Sequence, residues 1–365
     1  MRRLELLDYG RFFAAVIVVL FHYTFNGIAN GKIDSIVHII PLIDFTKYGY
    51  LGVELFFMIS GFVILHSAKN RTPAQFAVSR AVRLYPSYWF AVVFTSIFAV
   101  YWGGDLMSVY PTQVIVNFTL LQNYLGVGHV DGVYWTLVYE IKFYALVFVL
   151  LIVGLQKHLN LIFILWPVAM LGAFITGYDH LPFLGGYFYY FSAGALFAIL
   201  QTDKSPKNIL ATAISFLLCL MYSTSKVSIK TETTGVYFSE FIVGLLIICF
   251  FVFFIFQNSN KAQLLKLPFS KTLGALTYPV YLVHAHFGYM FISKYATEDN
   301  KIFIYIVTAS IVLLVSYFMH KVIEVRLSNV WKALFMVTFY KAINKVQSLA
   351  SECLIAYNKS FKQDK

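Results

Sequence analysis

Charge is what this chain has least of. Asp, Glu, Lys and Arg make up 12% of its 365 residues, about half the share found in water-soluble globules. Apolar residues make up 59% and aromatic residues 19%, and the mean hydropathy is +0.72. That balance excludes a soluble domain. Cysteine is scarce too: Cys219, Cys249 and Cys353 lie far apart, the first two inside apolar runs. Such spacing gives no disulfide framework and no CxxC-type zinc cluster. An inverted internal repeat, the mark of many secondary transporters, is missing as well. Acids are outnumbered by bases, 17 to 28, for a net charge of +11. The bases are scattered over short loops and the tail, so they fit membrane orientation and exclude a nucleic-acid partner.

What fills the chain is a succession of apolar stretches. A spanning helix takes roughly 20 mostly apolar residues, so ten use most of the length and leave no room for a second globular domain. Helices are expected near 6–26, 48–68, 84–102, 134–153, 159–177, 184–200, 208–222, 236–256, 272–293 and 302–323. The first is longer than a signal-peptide apolar core and has no clear small-residue cleavage site, so it reads as a retained helix. Alternate loops differ in charge. Arg2 and Arg3, Lys69 to Arg83, Lys157, Lys204 and Lys207, Lys261 to Lys271, and Lys321 onward fall on one side, most of the loop acids on the other. The positive-inside rule puts both termini in the cytoplasm. The expected fold is an all-α polytopic bundle of about ten spans over residues 1–325, followed by an amphipathic cytoplasmic tail, 326–365, lying on anionic lipid. The long external loop 102–134 has no Lys or Arg and an apolar middle, Val114 to Leu121, which reads as a re-entrant or interfacial segment.

Ionisable residues inside such spans are costly and mark functional sites by default. Arg11 and His22 lie in the first helix, eleven residues or close to three turns apart, hence on one face and about 16 Å apart along the axis. A snorkelling arginine and a hydrogen-bonded histidine would explain either one alone; the shared face points to a site. Glu54, near the outer end of the second helix, stands at a depth similar to His22 and is the nearest carboxylate to orient an imidazole base. Ser60 and Gly61 suit close helix approach. Arg80 and Arg83, at i and i+3, present two guanidinium forks to a polyanion such as a nucleotide pyrophosphate. Glu140 sits several residues into the fourth helix and needs a partner or a wet cavity. In the ninth helix Pro279 introduces a kink and His284 a second buried imidazole.

Taken in order, these pieces resemble the acyltransferase-3 family of integral membrane O-acyltransferases. The resemblance rests on Arg11-x10-His22, the Glu-Leu-Phe-Phe-x-x-Ser-Gly-Phe run from Glu54 to Phe62, Arg80-x-x-Arg83-Leu-x-Pro86, Trp135-Thr-Leu-x-x-Glu140, Tyr278-x-x-Tyr281-Leu-x-His284, and Glu324 at the end of the last helix. Glu54 stands where Asp is commoner and Thr136 where Ser is commoner, and Val325 and Arg326 replace the family's Glu-Lys-Pro-like ending. About 40 residues follow the last helix, so the SGNH domain of some relatives is not expected. The resemblance implies a bacterial inner-membrane enzyme. Its donor is cytoplasmic acyl-CoA, usually acetyl-CoA, with no metal, and its acceptor is a hydroxyl of a surface polysaccharide, lipopolysaccharide O-antigen or lipid-linked saccharide. On that reading His22 is base or transient acyl carrier, with Glu54 and Glu140 catalytic, while Arg11, Arg80 and Arg83 hold the donor's phosphates. Trp135, Tyr281, His284 and Ser60 line the acceptor end or support His22. The rival expectation is a transporter of glycan or acylated precursor without acyl transfer.

Overall fold

The computed structural model describes residues 4–345, and every regular element in that range is helical. Arg2, Arg3, Cys353 and the tail beyond 345 lie outside the described residues. The principal helices, numbered here, are α1 (Glu5–Phe21), α2 (Gly52–Lys69), α3 (Pro73–Trp102), α4 (Trp135–Ile152), α5 (Leu159–Thr176), α6 (Phe188–Leu200), α7 (Pro206–Ser225), α8 (Glu240–Gln257), α9 (Ser270–Val283), α10 (Ala285–Tyr295), α11 (Lys301–Phe318) and α12 (Ser328–Phe335). Each of the ten segments expected from hydropathy is helical. Eight helical segments among the described residues are long and apolar enough to cross a membrane. The molecule is an all-α polytopic bundle.

The two expected spans outside that eight differ for physical reasons. Helix α6 has only 13 residues, too few for a bilayer, and every position from Phe188 to Ile199 is buried. It is a core helix enclosed by others. Its closest neighbour is α2, where small residues bring backbones together: a Cβ on Gly61 would stand 2.1 Å from the Phe191 carbonyl oxygen, and one on Gly194 1.8 Å from that of Met58. The ninth segment is broken at His284 into α9 and α10.

Helix α3 begins eleven residues earlier than hydropathy indicates. Thr72 and Gln75 form a reciprocal capping box, with Gln75 N donating to Thr72 Oγ1 at 3.2 Å and Thr72 N donating to Gln75 Oε1 at 3.1 Å, and Pro73 follows at the first helical position. Its 30 residues are about 45 Å long, enough to carry arginines in the headgroup layer and apolar residues through the core.

The segment after α3 folds back into the bundle. Tyr88 Oη donates to the Asn117 carbonyl at 2.7 Å and Trp89 Nε1 to that of Phe118 at 2.9 Å. Both donors sit 13 or 14 residues before the end of α3, about 20 Å down the helix. Asn117, fully buried, ties the loop to itself by donating to the Gly128 carbonyl at 2.9 Å and accepting from Val130 N at 3.0 Å. Irregular backbone at that depth is tolerated because it is buried in protein. On the same stretch of α3, α12 lays Trp331 and Phe335 against Tyr85 and Trp89. The described start of the amphipathic tail therefore packs on protein.

Candidate active site

Arg11, Arg80 and Arg83 come from α1 and α3 and line one cavity of about 520 Å³ at the end of the bundle where α1 starts. The i,i+3 spacing on α3 puts both of its arginines on the cavity side. Arg83 stacks over Tyr278, 5.3 Å from ring centre, and lies 3.5 Å from Glu324 Oε1. Glu324 is held in turn by Ser87 Oγ at 2.9 Å and His320 Nδ1 at 3.0 Å. Arg11 Nη1 stands 3.7 Å from Asp8. Arg80 donates to Ser79 Oγ at 2.9 Å, while its buried Nε has no partner among the described residues. That leaves guanidinium N–H groups free to hold an anion.

Glu140 projects into the same cavity from α4. Its Oε1 accepts from Ser60 Oγ at 3.3 Å and from Tyr144 Oη. Ser60 is thus a cavity residue, and Gly61 beside it makes the close helix contact. Lys142, two residues from Glu140, points elsewhere, over the rings of Tyr139 and Tyr124.

The far end of the cavity wall includes Thr136 and Tyr281, whose hydroxyls are 2.8 Å apart. Tyr281 also lies 5.6 Å, ring to ring, from His284. Behind it two helix irregularities face each other. Helix α1 passes into a π-turn over His22–Asn26, and the α9–α10 break falls at His284; π-turns within helices are frequent at functional sites. His284 Nε2 is 3.2 Å from His22 Nδ1, with the rings edge to face at 4.8 Å. His284 Nδ1 meets the Tyr281 carbonyl at 2.8 Å, and His22 Nδ1 meets that of Val18 at 2.8 Å. Carbonyl oxygens only accept, so both Nδ1 atoms carry hydrogen. His284 Nε2 then offers its lone pair to the His22 N–H. His22 Nε2 carries the remaining lone pair, and no hydrogen bond occupies it among the described residues. His22 is half-buried and His284 fully buried. Neither belongs to the cavity wall, and Tyr281 is the residue shared by cavity and pair.

A carboxylate that hydropathy assigns to an external loop organises this break. Asp131, 0% exposed, accepts from Val133 N at 3.1 Å and His286 N at 2.9 Å, so the re-entrant segment clamps the first turn of α10. Tyr23 Oη donates to the His284 carbonyl at 3.0 Å. His286 Nδ1 donates to the Val130 carbonyl at 3.0 Å, leaving Nε2 to accept from Gly132 N at 3.2 Å and Lys32 Nζ at 2.9 Å. Burial holds the Lys32 ammonium below the usual lysine value.

Glu54 is placed differently from the sequence expectation. No hydrogen bond joins it to His22 among the described residues; the charged groups acting on it are Lys230 and Lys226. Trp135 joins it on that side, packing 5.0 Å from Tyr187. The motifs did not single out Tyr144, which lines the cavity, or Asp131 and Lys32, which surround the α9–α10 break, and Glu324 enters the cavity where the motif had only marked a helix end.

Residues 4–321 match the model of the acyltransferase-3 family, described as an acyltransferase domain. The chain belongs to the acyltransferase-3 family. Over 109 residues this acyltransferase is 32% identical to the exopolysaccharide production protein ExoZ of Rhizobium meliloti (strain 1021), a match covering 27% of the chain and 32% of that relative. The aligned part thus spans about a third of the relative's length. No solved structure matches. An acyltransferase-3 protein is integral to the inner membrane, in keeping with the apolar helices.

Proposed function

We propose that this acyltransferase moves an acyl group, most simply acetyl, from cytoplasmic acyl-CoA to a hydroxyl of a surface glycan or lipid-linked saccharide. Both described ends of the chain face the cytoplasm, and the helices up to residue 325 form the catalytic membrane domain. The observation that carries the reading is an arginine-walled cavity whose far wall, Tyr281, touches the His22–His284 pair.

Coenzyme A joins a phosphate-rich nucleotide to a thin arm ending in the thioester. Arg11, Arg80 and Arg83 suit the phosphates by charge-assisted hydrogen bonds. The arm follows the cavity toward Tyr281, about three turns along α1 from Arg11. Tyr281 lies across the last step, so the thioester meets His22 when the Tyr281 side chain swings aside. The lone pair of His22 Nε2 takes the proton of the acceptor hydroxyl as its oxygen attacks the thioester carbonyl. The C–O bond forms, the C–S bond breaks, and the proton passes from His22 to the leaving thiolate, giving ester and free CoA thiol. The Val18 carbonyl and His284 together hold the Nδ1 proton in place, so that Nε2 is the basic nitrogen. Attack by His22 itself, with an acyl-imidazole that the hydroxyl then cleaves, uses the same nitrogen.

The name of ExoZ, a protein of exopolysaccharide production, supports a saccharide acceptor. The test is thiol release from acetyl-CoA by purified protein with and without deacylated surface polysaccharide from the producing cells. Acceptor-dependent release, with acyl ester appearing on the glycan, is the expected result. Movement of glycan across vesicles without thioester consumption would favour a transporter instead.

A further inference from the structure

At the end of the bundle away from the arginines, a second group of polar side chains stands unused by the chemistry above. Glu54, 5% exposed, lies in the first turn of α2, and its Oε2 has no hydrogen-bond partner among the described residues. Tyr50, four residues earlier, has a buried hydroxyl that is also unpartnered among the described residues. An unsatisfied buried carboxylate oxygen and an unsatisfied hydroxyl on the same helical face are expensive unless something visits them. The nearby cations do not close the gap. Lys230 Nζ sits 3.8 Å above the Tyr50 ring and Lys226 Nζ 4.4 Å above that of Tyr222, and neither is within ion-pair distance of Glu54 among the described residues. Tyr187 completes the wall, 5.6 Å from Tyr222. All four of these lysine and tyrosine side chains and Tyr50 are half-buried, so their faces reach the surface. Through Phe21, whose ring is 6.0 Å from Tyr50 and 5.1 Å from His22, the group is one aromatic ring away from the proposed base.

We propose that Glu54, Lys226, Lys230, Tyr50, Tyr187 and Tyr222 form a saccharide subsite that holds the acceptor on the outer side. The mixed chemistry selects the ligand. A simple anion meets Glu54, a simple cation meets two lysines, and an acyl tail would strip water from all three charges without replacing it. A sugar ring satisfies them together: its hydroxyls donate to the Glu54 carboxylate and accept from the ammonium groups, while its C–H face lies on tyrosine rings. This inference rests on the acyl-transfer reading for its meaning as an acceptor site. The binding itself does not depend on that reading.

Two measurements separate the two ideas. Purified full-length protein is titrated calorimetrically with deacylated surface polysaccharide from the producing cells, and acetyl-CoA thiol release is followed over the same polysaccharide range. For Glu54→Gln, and for the Lys226→Ala, Lys230→Ala double variant, which alters only half-exposed groups, affinity for the polysaccharide falls by tenfold or more, about the loss of one charged hydrogen bond. The acceptor KM rises in parallel, while in the lysine variant the acetyl-CoA KM and the slow transfer to water stay unchanged. Unchanged polysaccharide affinity in the lysine variant overturns the subsite. So does loss of acetyl-CoA turnover to water in Glu54→Gln with acceptor affinity intact. Wild-type protein that binds polysaccharide through these residues yet releases no thiol overturns the transfer reading and leaves the subsite standing.

Discussion

His284 Nε2 faces His22 Nδ1 at 3.2 Å, and the two imidazoles come from helices that are both irregular at that point. The contact joins residues 262 apart in the chain. Together with the Val18 carbonyl, which accepts from the same N–H at 2.8 Å, it leaves Nε2 as the free nitrogen of His22, the one a hydroxyl or a thioester would meet. A neutral imidazole thus occupies the orienting position that a carboxylate fills in many general-base sites.

Replacing His284 by Phe removes the second acceptor of the His22 N–H, leaving it bonded to the Val18 carbonyl alone, while filling the space. The expected outcome is a fall in kcat of about tenfold, corresponding to a lost hydrogen bond of ~1.4 kcal/mol, with the acetyl-CoA KM unchanged. Steady-state kinetics on purified protein reads it. Equal loss in donor KM would place His284 in donor binding.

Arg80→Ala and Arg83→Ala are expected to raise the acetyl-CoA KM by roughly ten- to a hundredfold each, with a smaller effect on kcat, since charge-assisted hydrogen bonds contribute about 1.5–3 kcal/mol. Arg83 is 42% exposed at the side chain and shared with Glu324, so its effect is the smaller and the more salt-sensitive. Titrating KM against ionic strength checks the ordering.

Asp131→Ala leaves the Val133 and His286 N–H groups unpaired in a fully buried place. A loss of about 2–4 kcal/mol of stability is expected, because each orphaned buried donor costs roughly 1–3 kcal/mol. Thermal unfolding in detergent measures it, and a Tm equal to wild type would mean the clamp is not needed.

Much of the bundle could be read from hydropathy because a span announces itself locally, as a run of apolar residues of sufficient length. The Arg11–His22 face and the Arg80–Arg83 pair were legible for the same reason, both being consequences of one helix's period. Other features depend on contacts between distant parts of the chain and were not. Helix α6 reads as a span from its composition, yet it is short because neighbours, not lipid, surround it. Asp131 reads as a water-exposed loop acid, but Asn117, Tyr88 and Trp89 draw its loop deep into the bundle. Glu54 has the right depth for His22, while its surroundings come from Lys226 and Lys230, more than 170 positions later, which no local pattern reveals. The start of α3 was misjudged because the capping box at Thr72 outweighs the polarity of the turns that follow it.

Helix α2 and α6 touch through Gly61 and Gly194 with no room for a methyl group. Gly194→Ala is expected to cost about 1–3 kcal/mol through overpacking. Because Ser60, next to Gly61, holds Glu140 in the cavity, the variant also lowers acetyl-CoA turnover, measurable in the same kinetic assay.

The central claim is that the free Nε2 of His22 carries the proton or the acyl group. It is tested most directly by acceptor-dependent thiol release from acetyl-CoA in membranes containing His22→Gln, with expression matched to wild type. A drop of about 10²-fold or more, the scale of general-base catalysis, with acetyl-CoA binding retained is the predicted result. Wild-type rates from the variant would contradict the account.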